Sequence, residues 1–434
     1  MQDHWLKRYA YFFKAVIVLV MVLVLLIPMA MTESMIRERS YRQEDAIKEV
    51  SGKWGAAQTI TGPVLVVPYT VGDTLGTARG YAYFLPEQLT INGNLVSETR
   101  QRGIYNIPVY NSSIKLGGYF KQLSIDGLNL SASKLKLDEA FLAIGLTDLR
   151  GINKELKADW DGAETVFNPG LPNDELFSSG IQAKVPLVAG KDVYMFAIDL
   201  GLRGSQTFSF SPVGKNTKVK LTSNWNTPSF DGAVLPDTHT IATDSGFVAN
   251  WETLSAGRAF PQQWTGSNVK INTSDISVKL FPAIDTYQQS LRSVKYSVLI
   301  IGLTFLLFYF IELLQRRSVH PLQYMLIGLA LCVFYTLLIA ISEQLNFALA
   351  YAIASVMTIG LITFYVTSVF KNYRTALSIS AVLAALYGFL YVIIRSEDQS
   401  LLMGSLGLFV ILAIVMYFSR RIRWDELAAP SVSH

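Results

Sequence analysis

The sequence predicts a membrane protein with an N-terminal anchor helix, a large exported all-β, sandwich-like domain and a C-terminal bundle of five transmembrane helices. Composition is the first indication: 51% of the 434 residues are hydrophobic, 16% are charged, and the mean hydropathy is +0.32. Soluble proteins usually carry about a quarter charged residues. The second indication is a set of apolar runs of spanning length, one near the N-terminus and five close together after residue 295. The third is the stretch between them, which contains no such run and many turn signals.

The first apolar run, residues 15–31, follows a basic and aromatic segment. It suits a bilayer better than the short core of a signal peptide, and its exit from Pro28 to Met31 lacks a small-x-small cleavage site. We therefore expect a cytoplasmic N-terminus over residues 1–14 and an uncleaved anchor over residues 15–31.

A charged segment follows the anchor, and in it Ile36, Ile47 and Val50 recur at roughly helical spacing before Gly52. This pattern predicts a short helical stalk, residues 32–61, that continues the first span and whose helix stops at Gly52.

Residues 62–290 have the pattern of a β-rich domain. Strand-like runs occur at residues 64–67, 81–85, 193–200, 207–211 and 218–222. Turn signals recur at Asn92-Gly93, Gly117-Gly118, Asp126-Gly127 and Asp231-Gly232. Many short strands at this spacing are typical of a β-sandwich or barrel, and the length leaves open whether the domain is one unit or two packed subdomains.

The C-terminal bundle covers residues 296–418 and precedes a cytoplasmic tail, residues 419–434. Its runs lie at residues 296–314, 322–341, 347–370, 376–394 and 401–418. With a cytoplasmic N-terminus, the inner segments hold ten basic residues: Lys7, Arg8, Lys14, Arg316, Arg317, Lys371, Arg374, Arg420, Arg421 and Arg423. The short outer turns hold one arginine and three acidic residues. The positive-inside rule therefore predicts six spans, both termini in the cytoplasm and the large middle domain across the membrane, which in a bacterium with two membranes is the periplasm.

Residue chemistry excludes several classes of site. Residues 32–290 hold 24 basic and 26 acidic residues, so the net charge of +4 comes from residues that flank the apolar runs and gives no support to nucleic-acid binding. One cysteine and four scattered histidines form no metal or disulfide pattern, and His239 is interpreted as an exposed loop residue. Ser131 to Lys134 spells SxxK without its companion motifs, and no GxSxG or phosphate-binding loop occurs. We expect no enzyme activity, no catalytic residue, no cofactor and no metal.

Two carboxylates at helix ends are the remaining candidates for a functional role. Glu312 lies near the inner end of the second span, one turn before Arg316, and Glu343 lies at the outer end of the third. Both are interpreted as interfacial anchors. The alternative is a polar cluster, which for Glu343 would include Arg395 and Glu397. Cys332 is interpreted as a small buried thiol. The other polar residues within the spans are interpreted as groups that form hydrogen bonds between helices. They are Thr304, Gln323, Thr336, Thr358 and Thr363.

Several stretches closely resemble the CreD family of inner-membrane proteins. They are residues 221–232 (LTSNWNTPSFDG), Leu235-Pro236, 245–251 (SGFVANW), Lys295-Tyr296, 303–305 (LTF), 310–312 (FIE), 320–324 (HPLQY), Ser342-Glu343, Gly62-Pro63-Val64 and Phe84-Leu85-Pro86. Together with the N-terminal anchor they cover nearly the whole chain. Gln344 departs from the family pattern, which would have histidine after Ser-Glu. A His-Glu pair for proton transfer would therefore be absent from this chain.

The resemblance implies a bacterial inner-membrane protein that is linked to cell-envelope integrity and is induced through a two-component envelope-stress response. It brings no established catalytic residues. From the residues alone, four aromatic side chains of these stretches are interpreted as core or inter-sheet packing around tight turns, with a recognition surface as the alternative. They are Trp225, Phe230, Phe247 and Trp251.

The leading hypothesis is a non-enzymatic protein of envelope maintenance. Its partners would be membrane lipids and a periplasmic envelope protein or peptidoglycan-associated partner. The alternative is a transporter or lipid-handling protein whose C-terminal bundle forms the working site, which requires a polar site at membrane depth. A third hypothesis, an exported hydrolase, requires a cleft that holds a nucleophile and a base.

Overall fold

The computed structural model describes residues 10–420 except 74–75, 122, 124–127, 129, 131–133, 174, 243–244, 268, 272–274, 281–285, 316–318 and 397–398. The chain divides into two compact units. We call Met1–Gln43 with Ile284–His434 the helical unit, and Glu44–Ala283 the β unit.

Helices dominate the helical unit. They are α1 (Ala10–Trp54, whose last part belongs to the β unit), α2 (Thr286–Lys295), α3 (Ser297–Gln315), α4 (Pro321–Ser342), α5 (Phe347–Phe370), α6 (Tyr373–Arg395) and α7 (Ser400–Ser419). Among the described residues, α1 and α3 to α6 are long and apolar enough to cross a membrane. The apolar part of α7, Leu402–Tyr417, is shorter. Five helices of spanning length are therefore present, and the sixth predicted span corresponds to α7.

The first helix packs as a member of the bundle. One stripe of α1 is buried: Met21, Leu25, Met29, Thr32 and Ile36, at intervals of three or four residues that place them on one helix face. Gly328 of α4 allows close approach, because a Cβ atom added there would lie 2.1 Å from Leu25 Cδ1. The predicted anchor is therefore also part of the helix packing.

The helix α1 continues to Trp54, two residues beyond the predicted stop at Gly52. Gly52 has open space around its Cα and stays helical. The chain turns at Gly55, whose φ of +143° and close approach to the Arg203 carbonyl suit only glycine. Strand β1 then begins at Gln58, inside the range predicted for the stalk.

The β unit contains two sheets. Its strands are β1 (Gln58–Asp73), β2 (Gly76–Phe84), β3 (Gln88–Arg102), β4 (Tyr105–Lys121), β5 (Phe141–Leu146), β6 (Lys157–Trp160), β7 (Ala163–Val166), β8 (Asn168–Pro169), β9 (Gly180–Lys184), β10 (Val193–Ser205), β11 (Thr207–Ser211), β12 (Asn216–Ser223), β13 (Ser229–Gly232), β14 (Thr238–Ala242), β15 (Gly246–Leu254), β16 (Gln263–Thr265) and β17 (Ile276–Lys279). Sheet A has the order β13-β17-β11-β1-β5-β9-β8; in addition, β2 pairs with β1, and β16 pairs with β2. Sheet B has the order β14-β15-β12-β3-β4-β10-β6-β7.

One hydrophobic core joins the two sheets. Phe208 and Phe210 of sheet A and Leu221 and Ile114 of sheet B belong to it. Strand β5 of sheet A is buried on both faces, whereas β12 of sheet B alternates buried and exposed residues. The outward face of sheet B is therefore open to solvent, as is common for largely antiparallel sheets.

Two predicted turns are wrong. Asn92-Gly93 lies inside β3 and Gly117-Gly118 lies inside β4. These glycines do not bend the chain but allow neighbouring groups to approach the backbone closely. A Cβ at Gly93 would lie 2.6 Å from Leu221 Cδ1, and one at Gly118 would lie 1.9 Å from the Gln88 carbonyl oxygen.

Strand β1 also extends beyond Pro68, where the sequence pattern suggested its end. Pairing with β5 stops at Val66, whereas pairing with β2 continues to Asp73. Proline has no N–H to donate, and the strand tolerates it where only one neighbour remains.

The close approach at Gly118 gives a first prediction. Gly118→Ala forces the Gln88 strand away, so the free energy of unfolding should fall by about 2 kcal/mol or more. Gly103→Asn is the control, because Gly103 has φ +61° and open surroundings that asparagine tolerates. Thermal unfolding of the detergent-solubilised protein, followed by tryptophan fluorescence, measures both. Equal melting temperatures for the two variants would contradict the packing role of Gly118.

Candidate functional site

A buried ion pair joins α1 to the C-terminal helices of the helical unit. The Lys14 ammonium donates to the Glu312 carboxylate, and the Tyr324 hydroxyl donates to the other carboxylate oxygen at 2.9 Å. The Glu312 side chain is 4% exposed and that of Lys14 is 15% exposed. Three helices, α1, α3 and α4, thus converge on one carboxylate.

Local sequence positions this cluster through the turn that precedes α4. His320 caps α4: its Nδ1 accepts from the Leu322 N–H at 3.2 Å, and Gln323 accepts from the His320 N–H at 3.0 Å. Pro321 occupies the first helical position, where its missing N–H costs nothing. Lys14 donates a second bond to the Val319 carbonyl at 2.7 Å, so the ammonium is bound to the turn as well as to Glu312.

This arrangement corrects the interpretation of Glu312 as an interfacial anchor. Its carboxylate is buried between helices and bonded to groups far away in sequence. Arg316, the partner expected one turn later, lies outside the described residues. The family stretches FIE and HPLQY supply Glu312 and Tyr324, so their spacing was a signal for this contact, but the pairing with Lys14 left no local pattern.

A second carboxylate cluster lies at the other end of α4. The Tyr287 hydroxyl donates to Glu343 Oε1 at 3.2 Å, and Arg39 Nε lies 3.7 Å from the same oxygen. The Glu343 side chain is 14% exposed and that of Arg39 is 42% exposed. Glu343 therefore belongs to a partly buried polar cluster, with partners other than those considered from the sequence. Arg395 is exposed, and Glu397 lies outside the described residues.

Loss of one partner should destabilise the Lys14–Glu312 cluster more than the Arg39–Glu343 cluster, because the first is more deeply buried. Removing one partner of a buried ion pair leaves an uncompensated charge and costs about 3–5 kcal/mol. Pairs that keep access to water contribute about 1 kcal/mol or less. The Lys14–Glu312 pair is of the first kind, and Arg39–Glu343 lies closer to the second.

The other polar groups of the spans have different roles. Thr363 of α5 shares a hydrogen bond of 2.8 Å with Ser380 of α6, as predicted for an inter-helix group. Thr336 bonds instead to the Cys332 carbonyl of its own helix, and Gln323 belongs to the α4 cap. Thr358 is buried, and Cys332 is the buried thiol that the sequence predicted.

In the β unit, two of the family stretches meet. Asn224 accepts from the Ser97 N–H at 2.7 Å and donates to the Ser97 carbonyl at 3.0 Å, so its amide imitates a strand partner for β3. Gly246, with φ +85°, lies directly against this segment: a Cβ there would be 1.9 Å from the Ser223 carbonyl oxygen. The residues Ser-Asn-Trp and Ser-Gly-Phe therefore form a structural junction.

The aromatic residues of those stretches pack between the sheets. Phe247 and Trp251 of β15 are buried, and the Phe230 ring of β13 packs edge-on against both, at centroid distances of 5.6 and 5.9 Å. Trp225 is partly buried against the same core. His239 lies on strand β14 and not in a loop as predicted. It is exposed and packs beside Phe230 at 5.2 Å.

The connection from α1 to β1 is fixed by a carboxylate. Asp148 accepts from the Ala56 N–H at 3.0 Å and from Arg150 Nε at 2.9 Å. The hydrogen bond from the Arg150 guanidinium holds the pKa of Asp148 below its ordinary value. A carboxyl whose folded pKa is lowered contributes stability above its unfolded pKa and loses it as the pH falls. This junction is therefore intact at neutral pH and weakens in acid.

Two surface hollows of the β unit are candidates for the cleft that the hydrolase hypothesis requires. The larger, about 810 Å³, is lined by Leu135, Leu137, Asp138, Lys184, Pro186, Leu187 and Ala189. The smaller, about 310 Å³, is lined by Pro68, Arg79, Tyr81, Glu139, Phe141, Asn168, Pro172, Gln182 and Lys184. Neither lining contains serine, threonine, cysteine or histidine. Ser131, of the SxxK match, lies outside the described residues. Among the described residues, no group of three or more His, Cys, Asp and Glu side chains could hold a metal.

These features define a class: a multi-pass membrane protein with a two-sheet β unit inserted in the chain after its first apolar helix. The family of the inner membrane protein CreD matches residues 10–425. The inner membrane protein CreD of Escherichia coli strain K12 is 32% identical over 427 residues, covering 95% of this chain and 93% of that protein. The chain belongs to the CreD family and is a multi-pass inner-membrane protein.

Two solved structures match about half of the chain. The M1 zinc metallopeptidase of Deinococcus radiodurans matches 45% of this chain and 42% of its own, with 10% identity and a TM-score of 0.21. Yeast LTA4 hydrolase matches 50% of this chain and 34% of its own, with 11% identity and the same TM-score.

The buried ion pair gives a second prediction. Glu312→Gln removes the carboxylate charge opposite the Lys14 ammonium, so the free energy of unfolding should fall by about 3–5 kcal/mol. The double variant Lys14→Met with Glu312→Gln removes both charges and should recover most of the loss. Glu33→Gln, which breaks an exposed pair with Arg37, is the control and should change stability by less than about 1 kcal/mol. Thermal unfolding and membrane abundance measure all three. A double variant less stable than Glu312→Gln would contradict the charge argument.

Proposed function

We propose that this protein maintains the cell envelope without catalysing a reaction, by holding its β unit in the periplasm, where that unit binds another envelope component. The observation that carries the proposal is the open face of sheet B on a unit of 240 residues inside a membrane protein. Membership of the CreD family supports the inner-membrane setting. The linings of the two hollows contain no serine, threonine, cysteine or histidine, so they offer no Ser–His or Cys–His pair for hydrolysis.

The outward face of sheet B has the chemistry of a polar contact surface. Lys220, Asn92 and Lys115 are neighbours across β12, β3 and β4, and all three are exposed. Asn250 and Asp199 extend this row on either side. Flat rows of amide and lysine side chains can bind carbonyl and carboxylate groups of a partner. The proposed partner is an envelope protein or a peptidoglycan-associated component.

Photocrosslinking in living cells tests this surface. A photoreactive amino acid at Asn92, Lys115 or Lys220 should yield one discrete adduct. The same group at Val188, an exposed side chain away from this row, is the control and should not yield it. Lys115→Glu with Lys220→Glu should abolish the adduct formed from Asn92. Recovery of only self-contacts and lipid from all three positions would contradict the proposal.

The proposed topology has six spans, including α7, with both termini in the cytoplasm. It is supported by the ten basic residues of the inner segments and by an α7 of 20 residues, which matches the length that a bilayer requires. In this arrangement the β unit lies in the periplasm.

The third prediction concerns the topology and is tested by thiol labelling. In a Cys332→Ala background, Val188→Cys should react with a membrane-impermeant maleimide in cells with a permeabilised outer membrane, because it lies in the periplasm. Tyr373→Cys, at the exposed start of α6, should react only after detergent solubilisation. The reverse pattern would overturn the arrangement.

The buried carboxylate clusters favour a second candidate function, a transporter or lipid-handling protein that uses the helical unit. Ionisable groups within membrane bundles often mark substrate or ion pathways. The Lys14–Glu312 and Arg39–Glu343 clusters lie at opposite ends of the bundle, as a two-ended pathway would require.

Glu343→Gln discriminates between the two functions and is the fourth prediction. The glutamine oxygen can still accept from Tyr287, and Arg39 can turn to water, so abundance and stability should change by less than about 1 kcal/mol. Under the leading proposal, resistance of a deletion strain complemented with this variant to deoxycholate should equal that of the wild type. Loss of resistance at normal abundance would favour the helical unit as the working site. Glu33→Gln is again the matched control.

A further inference from the structure

Unpartnered hydroxyl groups are concentrated in the helical unit. Nine buried side-chain polar atoms have no hydrogen-bond partner among the residues that the structure describes. Six of them are hydroxyls of this unit: Ser290 and Ser293 of α2, Thr304 of α3, Tyr335 of α4, Ser355 of α5 and Tyr387 of α6. Native proteins leave few buried polar groups unsatisfied, and each requires an explanation.

These hydroxyls lie in one half of the bundle. Tyr335 is about two turns before the end of α4, and Ser355 is about two turns after the start of α5. The two helices are joined by a short turn, so both residues lie at the same level. Tyr387 joins them from α6, because Tyr351 of α5 donates a hydrogen bond of 2.7 Å to its carbonyl.

The two tyrosines carry the argument. Serine and threonine hydroxyls in a helix can bond to a carbonyl one turn back, as Thr363 does to Ile359 at 2.6 Å. A tyrosine hydroxyl is held too far from its own backbone to do so. Tyr335 and Tyr387 are each 1% exposed, so lipid headgroups and bulk water do not reach them.

The apolar ring of Phe334 lies beside both tyrosines. The Phe334 ring lies 4.8 Å from that of Tyr335 and 4.6 Å from that of Tyr387. Helices α4 and α5 contain no charged residue from end to end. A ligand here must therefore be neutral, small and able both to donate and to accept hydrogen bonds. Phenylalanine would fill the same volume without leaving a hydroxyl to satisfy.

The Ser355 hydroxyl is left out of the site, because it shares a hydrogen bond with the hydroxyl of Tyr351. We propose that the hydroxyls of Tyr335 and Tyr387 form an internal hydration site that binds ordered water at membrane depth. Water has the required size, neutrality and paired donor and acceptor character, and buried waters typically make about three hydrogen bonds. Helices α4 and α6 each supply one of those bonds. The site is independent of the partner surface on sheet B, so either proposal can fail without the other.

Radiolytic hydroxyl-radical labelling of the full-length protein in nanodiscs tests the site, because radicals form from water where it is bound. Tyr335 and Tyr387 should be oxidised at least several-fold faster than Tyr324, and mixing with H₂¹⁸O should place the heavy oxygen on them. Tyr324 is the matched control, since it is equally buried in the same unit and its hydroxyl is bonded to Glu312. Tyr110, buried and bonded to the Thr207 carbonyl, is the control in the β unit.

The variant Tyr387→Phe adds a second readout. Loss of one hydroxyl should release the water, so oxidation of Tyr335 should fall to the rate of Tyr324. If Tyr335 and Tyr387 of the wild type label no faster than Tyr324, the site is dry and the proposal is wrong. That comparison needs no variant, so it holds even if Tyr387→Phe fails to accumulate. An unchanged rate at Tyr335 in a folded Tyr387→Phe protein would also overturn the shared site.

Discussion

The buried contact between Lys14 and Glu312 is the constraint on which the helical unit depends. The Lys14 ammonium and the Glu312 carboxylate would each be costly to bury alone, and the energy becomes acceptable only when they meet with a third polar group, Tyr324. This requirement fixes the rotation of α1, α3 and α4 relative to one another. The apolar stripe of α1 and the bare backbone at Gly328 then follow from the same rotation, since the stripe must face α4.

Polar groups are distributed unequally along the helices. The end near the α3–α4 turn holds the Lys14–Glu312 ion pair, while the opposite half holds the Tyr335 and Tyr387 hydroxyls, which have no hydrogen-bond partner among the described residues. The β unit shows a comparable division. Sheet A has a strand buried on both faces, whereas sheet B keeps one face in solvent.

Local patterns predicted much of the fold. The apolar runs located the helices. The alternation in residues 207–211 matched strand β11, in which Phe208 and Phe210 lie in the core and the serines of the other face are buried with hydrogen bonds to other side chains. Long-range pairing had no such signal. The parallel pairing of β1 with β11 and of β12 with β3, and the contact of Asn224 with Ser97, depend on tertiary neighbours. Gly93 of β3 and Gly118 of β4 resemble turn residues in the sequence. Sequence alone does not distinguish a glycine that bends the chain from one that leaves space for a neighbouring group. The partners of Glu312 and Glu343 were not predicted either, because their cations, Lys14 and Arg39, lie on α1 and are far away in sequence.

The separation of Lys14 from Glu312 by 298 residues has a consequence for biosynthesis. Lys14 leaves the ribosome long before its partner is made, and the whole β unit is translated in between. During that interval the lysine must reach the interface by extending its side chain. The bundle therefore closes late, when α3 and α4 arrive and draw the ammonium inward. A chain truncated before Glu312 would hold α1 without the carboxylate that Lys14 contacts, so this contact can form only after α3 has been made.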